Sequence, residues 1–157
     1  MGKHGYTSNM NANEKLMVAI VRVSESYKKD CSAIFGKCGL TFAQYTVLRA
    51  LEGSEGGRNT ITNVSRIMLV SGANMTGISK RLEKSGFLLR KSDPGDERVT
   101  ILEITMKGKS TIQEIEAAKE ALIRTYLHGY SSELKKLVLE HLKGTMRRSQ
   151  DAHKPHQ

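Results

Sequence analysis

Between Ser71 and Arg81, side chains able to hydrogen-bond a nucleic-acid base recur at helical spacing. If Met75, Ile78 and Leu82 turn one face of a helix inward, Asn74, Thr76, Gly77, Lys80 and Arg81 point away from the core. The carboxamide of Asn74 matches the donor and acceptor of adenine, and the guanidinium of Arg81 suits guanine or a phosphate. Lys80 suits a phosphate, while Gly77 permits close approach of the helix backbone. The same residues would also make an ordinary solvated face, because most exposed Lys and Arg contact only water. The charge distribution favours the first reading. Within residues 61 to 110, nine Lys/Arg outweigh five Asp/Glu, and Arg90, Lys91 and Arg98 add to the cations of the helix.

Positioning that face requires two short helices crossed at a steep angle. Such a helix-turn-helix buries apolar residues at the fourth, eighth, tenth, fifteenth and eighteenth places of its frame. Counting from Ile61, those places hold Val64, Met68, Val70, Met75 and Ile78. The fifth place, where the helices touch, holds the small Ser65. Ser71 stands where the second helix needs an N-cap, and Thr62 is expected to cap the first. Leu69 occupies the turn, where glycine often stands.

The flanking segments follow from periodicity and turn chemistry. Leu16, Ile20, Val23, Tyr27, Cys31, Ile34 and Cys38 trace one stripe of a helix over residues 12–38. Thr41 and Gln44 form a capping-box pattern opening a second helix, whose inner face carries Phe42, Tyr45, Leu48 and Leu51. The glycine-rich stretch from Glu52 to Asn59 reads as a flexible loop. Gly86 suits a left-handed helix end. Beyond it, Phe87 to Lys91 and Val99 to Ile104 read as strands around the turn Asp93-Pro94-Gly95-Asp96. A hairpin directly behind a helix-turn-helix is a wing. A long helix is expected from Thr105 to about Tyr126 and another from Ser131 to about Met146. The fold class is therefore mainly α with a small β-wing. A winged helix-turn-helix over residues 40–104 stands between N- and C-terminal dimerisation helices, 12–38 and 105–147. Residues 148–157 read as a polar, disordered tail. The terminal helices carry more apolar surface than so small a module can cover, which points to a second copy.

Composition narrows the partners. The 157 residues carry a formal charge of +9, which attracts polyanions such as double-stranded DNA. A chain with no Trp and three Phe is poorly equipped to lie on a membrane surface, and no apolar run approaches the roughly 20 residues of a membrane span. Nothing from Met1 to Ala12 resembles a secretion signal, so a cytoplasmic location is expected. The histidines His4, His128, His141, His153 and His156 are scattered, and no nucleotide-binding, hydrolase or zinc-protease motif occurs. No catalytic residue, cofactor or metal is expected.

Four local patterns, in order, resemble the multiple-antibiotic-resistance regulator (MarR) family from about Ala12 to Met146. They are Gly39-Leu40-Thr41-x-x-Gln44-Tyr45-x-Val47-Leu48, then Asn74-Met75-Thr76-Gly77-Ile78 with Leu82-Glu83-Lys84-x-Gly86, then Asp93-Pro94-x-Asp96-x-Arg98, and Ile104-Thr105-x-x-Gly108. The resemblance implies a homodimeric DNA-binding transcriptional regulator, a repressor, acting on a near-palindromic operator. It implies that Arg98 at the wing tip enters the minor groove while Asp96 holds it in orientation. Glu97 departs from a pattern that often has a second arginine, and a carboxylate there faces phosphates and weakens the wing's contact.

The same resemblance implies release of DNA by a small-molecule effector or by thiol oxidation. Arg22, Tyr27 and Tyr45 are candidates to line an effector pocket, and Cys31 and Cys38 to sense oxidation. Aromatic residues and cysteines at helical spacing are also ordinary core, and a direct Cys31–Cys38 bond would require the helix to break before Cys38. Two other readings stay open. One is a winged-helix module for protein contacts, which heparin retention would oppose. The other is a metal or redox sensor, for which Glu25 and Cys31 lie near one another on the first helix.

Overall fold

The computed structural model describes residues 9–152. The chain divides into two compact units, one ending at Leu122 and one beginning at Ile123.

In the first unit, helix α1 spans Ala12–Gly36 and opens on a capping box between Asn11 and Glu14. Helix α2, Phe42–Glu52, opens on the expected one: the Gln44 amide donates to Thr41 Oγ1 at 3.2 Å, and the Thr41 amide donates to Gln44 Oε1 at 2.9 Å. The expected loop after α2 is replaced by structure. A short 3-10 turn at Glu55–Gly57 leads into a strand, β1, Arg58–Thr60. Helices α3 (Ile61–Met68) and α4 (Gly72–Lys84) form the crossed pair. Strands β2 (Leu88–Ser92) and β3 (Thr100–Ile104) pair antiparallel with Leu88 opposite Ile104, and β1 adds to the other side of β3, giving the order β1-β3-β2. Helix α5 runs over Met106–Tyr126.

The core follows the predicted offsets. Val64, Met75 and Ile78 are buried, together with Leu48, Leu51, Leu82, Leu88, Leu102, Ile112 and Ile115, while Met68 and Val70 pack against them half-buried. Each fully buried aliphatic side chain contributes about 1.5–3 kcal/mol relative to exposure, so this single cluster holds α2 to α5 and the sheet together. Gly108 lets α5 sit against the sheet: a Cβ there would lie 2.4 Å from the Phe87 carbonyl oxygen and 2.7 Å from Ile104.

The α1 stripe is only partly realised. Cys31 and Phe35 are buried, but Leu16, Met17, Val21 and Val23 are exposed. The helix ends at Gly36, two residues before Cys38, with Lys37 as C-cap. In the second unit, helix α6 spans Ser132–Ala152. It continues past the expected end at Met146, so residues 148–152 are helix rather than disordered tail, and residues 153–157 lie outside those described. Arg147, Arg148 and Gln150 are good helix formers, and their polarity does not oppose a helix. Leu134, Leu137, Val138, Leu139, Leu142 and Met146 on α6 are all exposed.

Candidate nucleic-acid interface

The α3–α4 pair is built from local hydrogen bonds. Thr60, not Thr62, caps α3: its hydroxyl accepts the Asn63 amide at 3.2 Å. Strand β1 delivers the chain to the helix in extended conformation at Thr60, leaving Thr62 inside the first turn. Ser71 caps α4 as expected, accepting the Asn74 amide at 3.3 Å. Between the helices, Leu69 adopts the left-handed conformation, φ 53° and ψ 41°. Its side chain is 63% exposed. The turn is sealed from within by Ser65, whose hydroxyl donates to the Val70 carbonyl oxygen at 2.8 Å.

On α4, Met75, Ile78, Ser79 and Leu82 are buried. At 100° per residue the opposite face carries Ala73, Gly77, Lys80 and Lys84, flanked by Asn74, Thr76 and Arg81. Asn74, Lys80 and Arg81 are exposed, and Thr76 and Gly77 are half-exposed, so the predicted residues share one outward surface. Two of them have partly committed hydroxyls. Ser71 Oγ accepts the Asn74 amide and keeps its own proton to donate, whereas Thr76 Oγ1 donates to the Gly72 carbonyl at 2.9 Å and keeps only its acceptor side and its methyl for a ligand. The Arg81 guanidinium folds back along the helix, 3.7 Å from where a Cβ on Gly77 would stand. Ala73 and Lys84 escaped sequence reasoning; the helical phase set by Ile78 and Leu82 identifies them.

The wing divides its cations. Strand alternation puts Arg90 on the inner face with Leu88, where it is half-buried and its Nε is buried without a hydrogen-bond partner. Lys91 faces outward, and its ammonium is paired with Glu103 on β3 at 2.7 Å. That hydrogen bond and charge hold the Glu103 carboxyl below its ordinary range; burial opposes, and Arg58 and Lys109 add to the lowering. At the tip, the Asp96 carboxylate accepts the backbone N–H of Arg98 at 3.0 Å, so it anchors the main chain beneath the arginine. Asp93 does the same for Gly95 at 2.7 Å, and Glu97 and Arg98 are both exposed. Glu83, near the end of α4, accepts the Arg90 backbone N–H at 3.1 Å and ties the recognition helix to the wing.

The candidate sensor residues part company. Arg22 is exposed on α1, and Tyr27 is half-buried against the core. Cys31 is fully buried and Cys38 half-buried, and both are free thiols. Burial pushes the Cys38 thiol up, and the charge of Glu114 and a hydrogen bond to it push in the same direction. Tyr45 is a packed core residue: its ring stacks on Phe35 at 3.9 Å between centroids, and its hydroxyl accepts a hydrogen bond from Lys119 at 3.2 Å. Sequence reasoning missed Lys119, whose polarity on α5 suggests solvent. Among the described residues, no group of three or more His, Cys, Asp or Glu is placed to hold a metal ion.

The comparisons agree with this geometry. The HTH-type transcriptional repressor YetL of Bacillus subtilis is 23% identical over 136 residues, covering 86% of this chain and 81% of that protein. A MarR family transcriptional regulator from Streptomyces coelicolor, solved in complex with DNA, superposes with a TM-score of 0.78 at 18% identity, covering 96% of this chain and 93% of the other. An organohalide-sensing transcriptional regulator, solved in its 2,4-dichlorophenol-bound form, superposes with a TM-score of 0.83 at 15% identity, covering 99% and 93%. These structures share the MarR-type winged-helix fold. The transcriptional regulator SarA/Rot family matches residues 30–115, which run from the end of α1 through both recognition elements into α5. The chain belongs to this family of winged-helix transcriptional regulators, which are not enzymes.

Proposed function

We propose that the protein is a cytoplasmic repressor that binds a near-palindromic operator in double-stranded DNA as a homodimer. One observation carries the reading: Asn74, Lys80 and Arg81 lie together on the outward face of α4, next to a wing whose tip presents Arg98. Asn74 and Arg81 read base edges, Gly77 and Ala73 let the helix enter the major groove, and Lys80 and Lys84 meet phosphates. Arg98 enters the minor groove, and Arg90 supports the wing from its inner face. Lys91 contributes positive field while paired to Glu103. A two-fold dimer places its recognition helices about 34 Å apart, one turn of B-DNA. The exposed apolar residues of α1 and of α6 supply surface for the second copy. The DNA-bound neighbour and the repressor YetL support this assignment. Among the described residues no helix is long and apolar enough to cross a membrane.

Release by a small molecule is favoured over thiol oxidation, because Cys31 is sealed in the core and Cys38 is held as a thiol. The ligand-bound neighbour supports the same preference. The test is selection of binding sites from random duplex DNA, followed by titration at several salt concentrations. A recovered palindrome and a log–log salt slope of about −0.9 per neutralised phosphate are expected. Recovery of no common sequence, with no retention on heparin, would instead indicate a protein-contact module.

A further inference from the structure

Lys119 on α5 is largely covered, its side chain only 12% exposed. Lysine is rarely so covered unless paired, and here the pairing reaches another helix. Its ammonium donates to Tyr45 Oη on α2 at 3.2 Å and to Glu116 at 2.7 Å, and it stands 5.8 Å from the centre of the Tyr45 ring. Stacking on Phe35 of α1 fixes that ring in one orientation. Three helices therefore meet at one directional contact. Around it the core is apolar, with Leu48, Ile112 and Ile115 buried, and the other polar influence between α2 and α5 is the charge of Arg49 on Glu116, which needs no fixed direction. Apolar packing is non-directional and tolerates sliding, whereas an ammonium–phenol hydrogen bond is lost within a few tenths of an ångström or a few tens of degrees.

Resting on the operator-binding reading above, we infer that Tyr45 and Lys119 are positioning residues. Their contact fixes the angle between α2 and α5, and through it the separation at which two copies present their recognition helices. Neither side chain touches DNA. Removing the contact leaves each recognition surface intact but loosens the spacing between them, so half-site affinity is kept while preference for one half-site separation is lost.

The experiment uses the full chain and duplexes carrying either one selected half-site or two, with the spacer changed by one base pair at a time. For the wild type, preference for the selected spacing over its neighbours is expected at about tenfold or more, within the usual range of coupling between sites. Tyr45→Phe and Lys119→Met should each flatten it to within about threefold, leave single half-site affinity within about twofold, and show no further loss when combined. Thermal unfolding of each variant separates lost spacing preference from lost fold, and Tyr45→Phe deletes a single oxygen. An unchanged spacing profile in both variants, or additive losses in the double variant, overturns the inference while leaving DNA binding in place. A wild type that binds no duplex overturns both readings.

Discussion

The Ser65 hydroxyl and the Val70 carbonyl oxygen, 2.8 Å apart, close the turn between α3 and α4 on its inner side. Ser65 is buried and Val70 half-buried, so losing the hydroxyl leaves that carbonyl with a poorer partner than it has now. Ser65→Ala should cost about 1–2 kcal/mol, read as a lower urea midpoint with unchanged slope. Equal midpoints would mean that the main-chain hydrogen bonds from Leu69 N–H to Arg66 and from Val70 N–H to Ser65 hold the turn without the hydroxyl.

Leu69 presents the opposite case, an L-residue held at positive φ with its side chain mostly in solvent. Left-handed backbone costs a non-glycine residue about 1–2 kcal/mol, partly offset by the extra unfolded-state entropy glycine brings. Leu69→Gly should therefore raise the melting temperature by a few degrees, about 0.5 kcal/mol or more. A lower melting temperature would show that the exposed leucine has a packing role.

Gly108 has no room for a side chain, since the nearest obstacle is the Phe87 backbone carbonyl. Gly108→Ala should destabilise by about 1–3 kcal/mol through overpacking, despite alanine's better helix propensity. Gly36→Ala, where nothing lies within 4 Å, serves as the control and should stay within about 0.5 kcal/mol of wild type.

At Gly77, stability and binding should move in opposite directions. Alanine in the helix interior adds about 0.5–1 kcal/mol of stability. The added methyl stands 3.7 Å from the Arg81 guanidinium and thickens the face offered to the groove. We expect Gly77→Ala to melt higher and bind operator at least about fivefold more weakly, a loss of about 1 kcal/mol. Operator affinity equal to wild type would remove Gly77 from the interface.

The Glu116–Lys119 pair gives stability a defined pH window. The hydrogen bond from Lys119 lowers the Glu116 carboxyl; burial opposes and the charges of Lys119 and Arg49 reinforce it. Burial alone would push the Lys119 ammonium down, but hydrogen bonds to Glu116 and Tyr45 and their charges raise it on balance. A lowered acid stabilises above its ordinary 4.5 and loses that contribution as pH falls through the folded value. A raised base stabilises below its ordinary 10.5 and loses that contribution as pH climbs through the folded value. The melting-temperature difference between wild type and Lys119→Met should be flat between these limits and change outside both. A difference that varied steadily through neutral pH would point to another group.

What could be read from the sequence was what neighbours along the chain decide. The Thr41–Gln44 capping box, the Ser71 cap and the Val64-to-Ile78 register depend on residues a few positions apart, and all appear as expected. Strand β1 was hidden because its partner, β3, lies more than forty residues further on. Its extended backbone is also what moves the α3 cap from Thr62 to Thr60. The adjacent Leu88 and Leu89 conceal the strand phase, so Arg90 and Lys91 read as one cationic pair in the sequence, while pairing with β3 sends them to opposite faces. Lys119 and Tyr45 stand 74 positions apart, beyond any local pattern.

The strand order places Leu102 and Ile104 in the middle and leaves only β1 and β2 with unpaired backbone. The first of these is three residues long, and the second carries a lysine on its outer side. Short or charged borders are poor templates for adding a further strand, so cross-β growth has little to start from. Crowding many copies of this protein should therefore give little strand-to-strand growth into fibres.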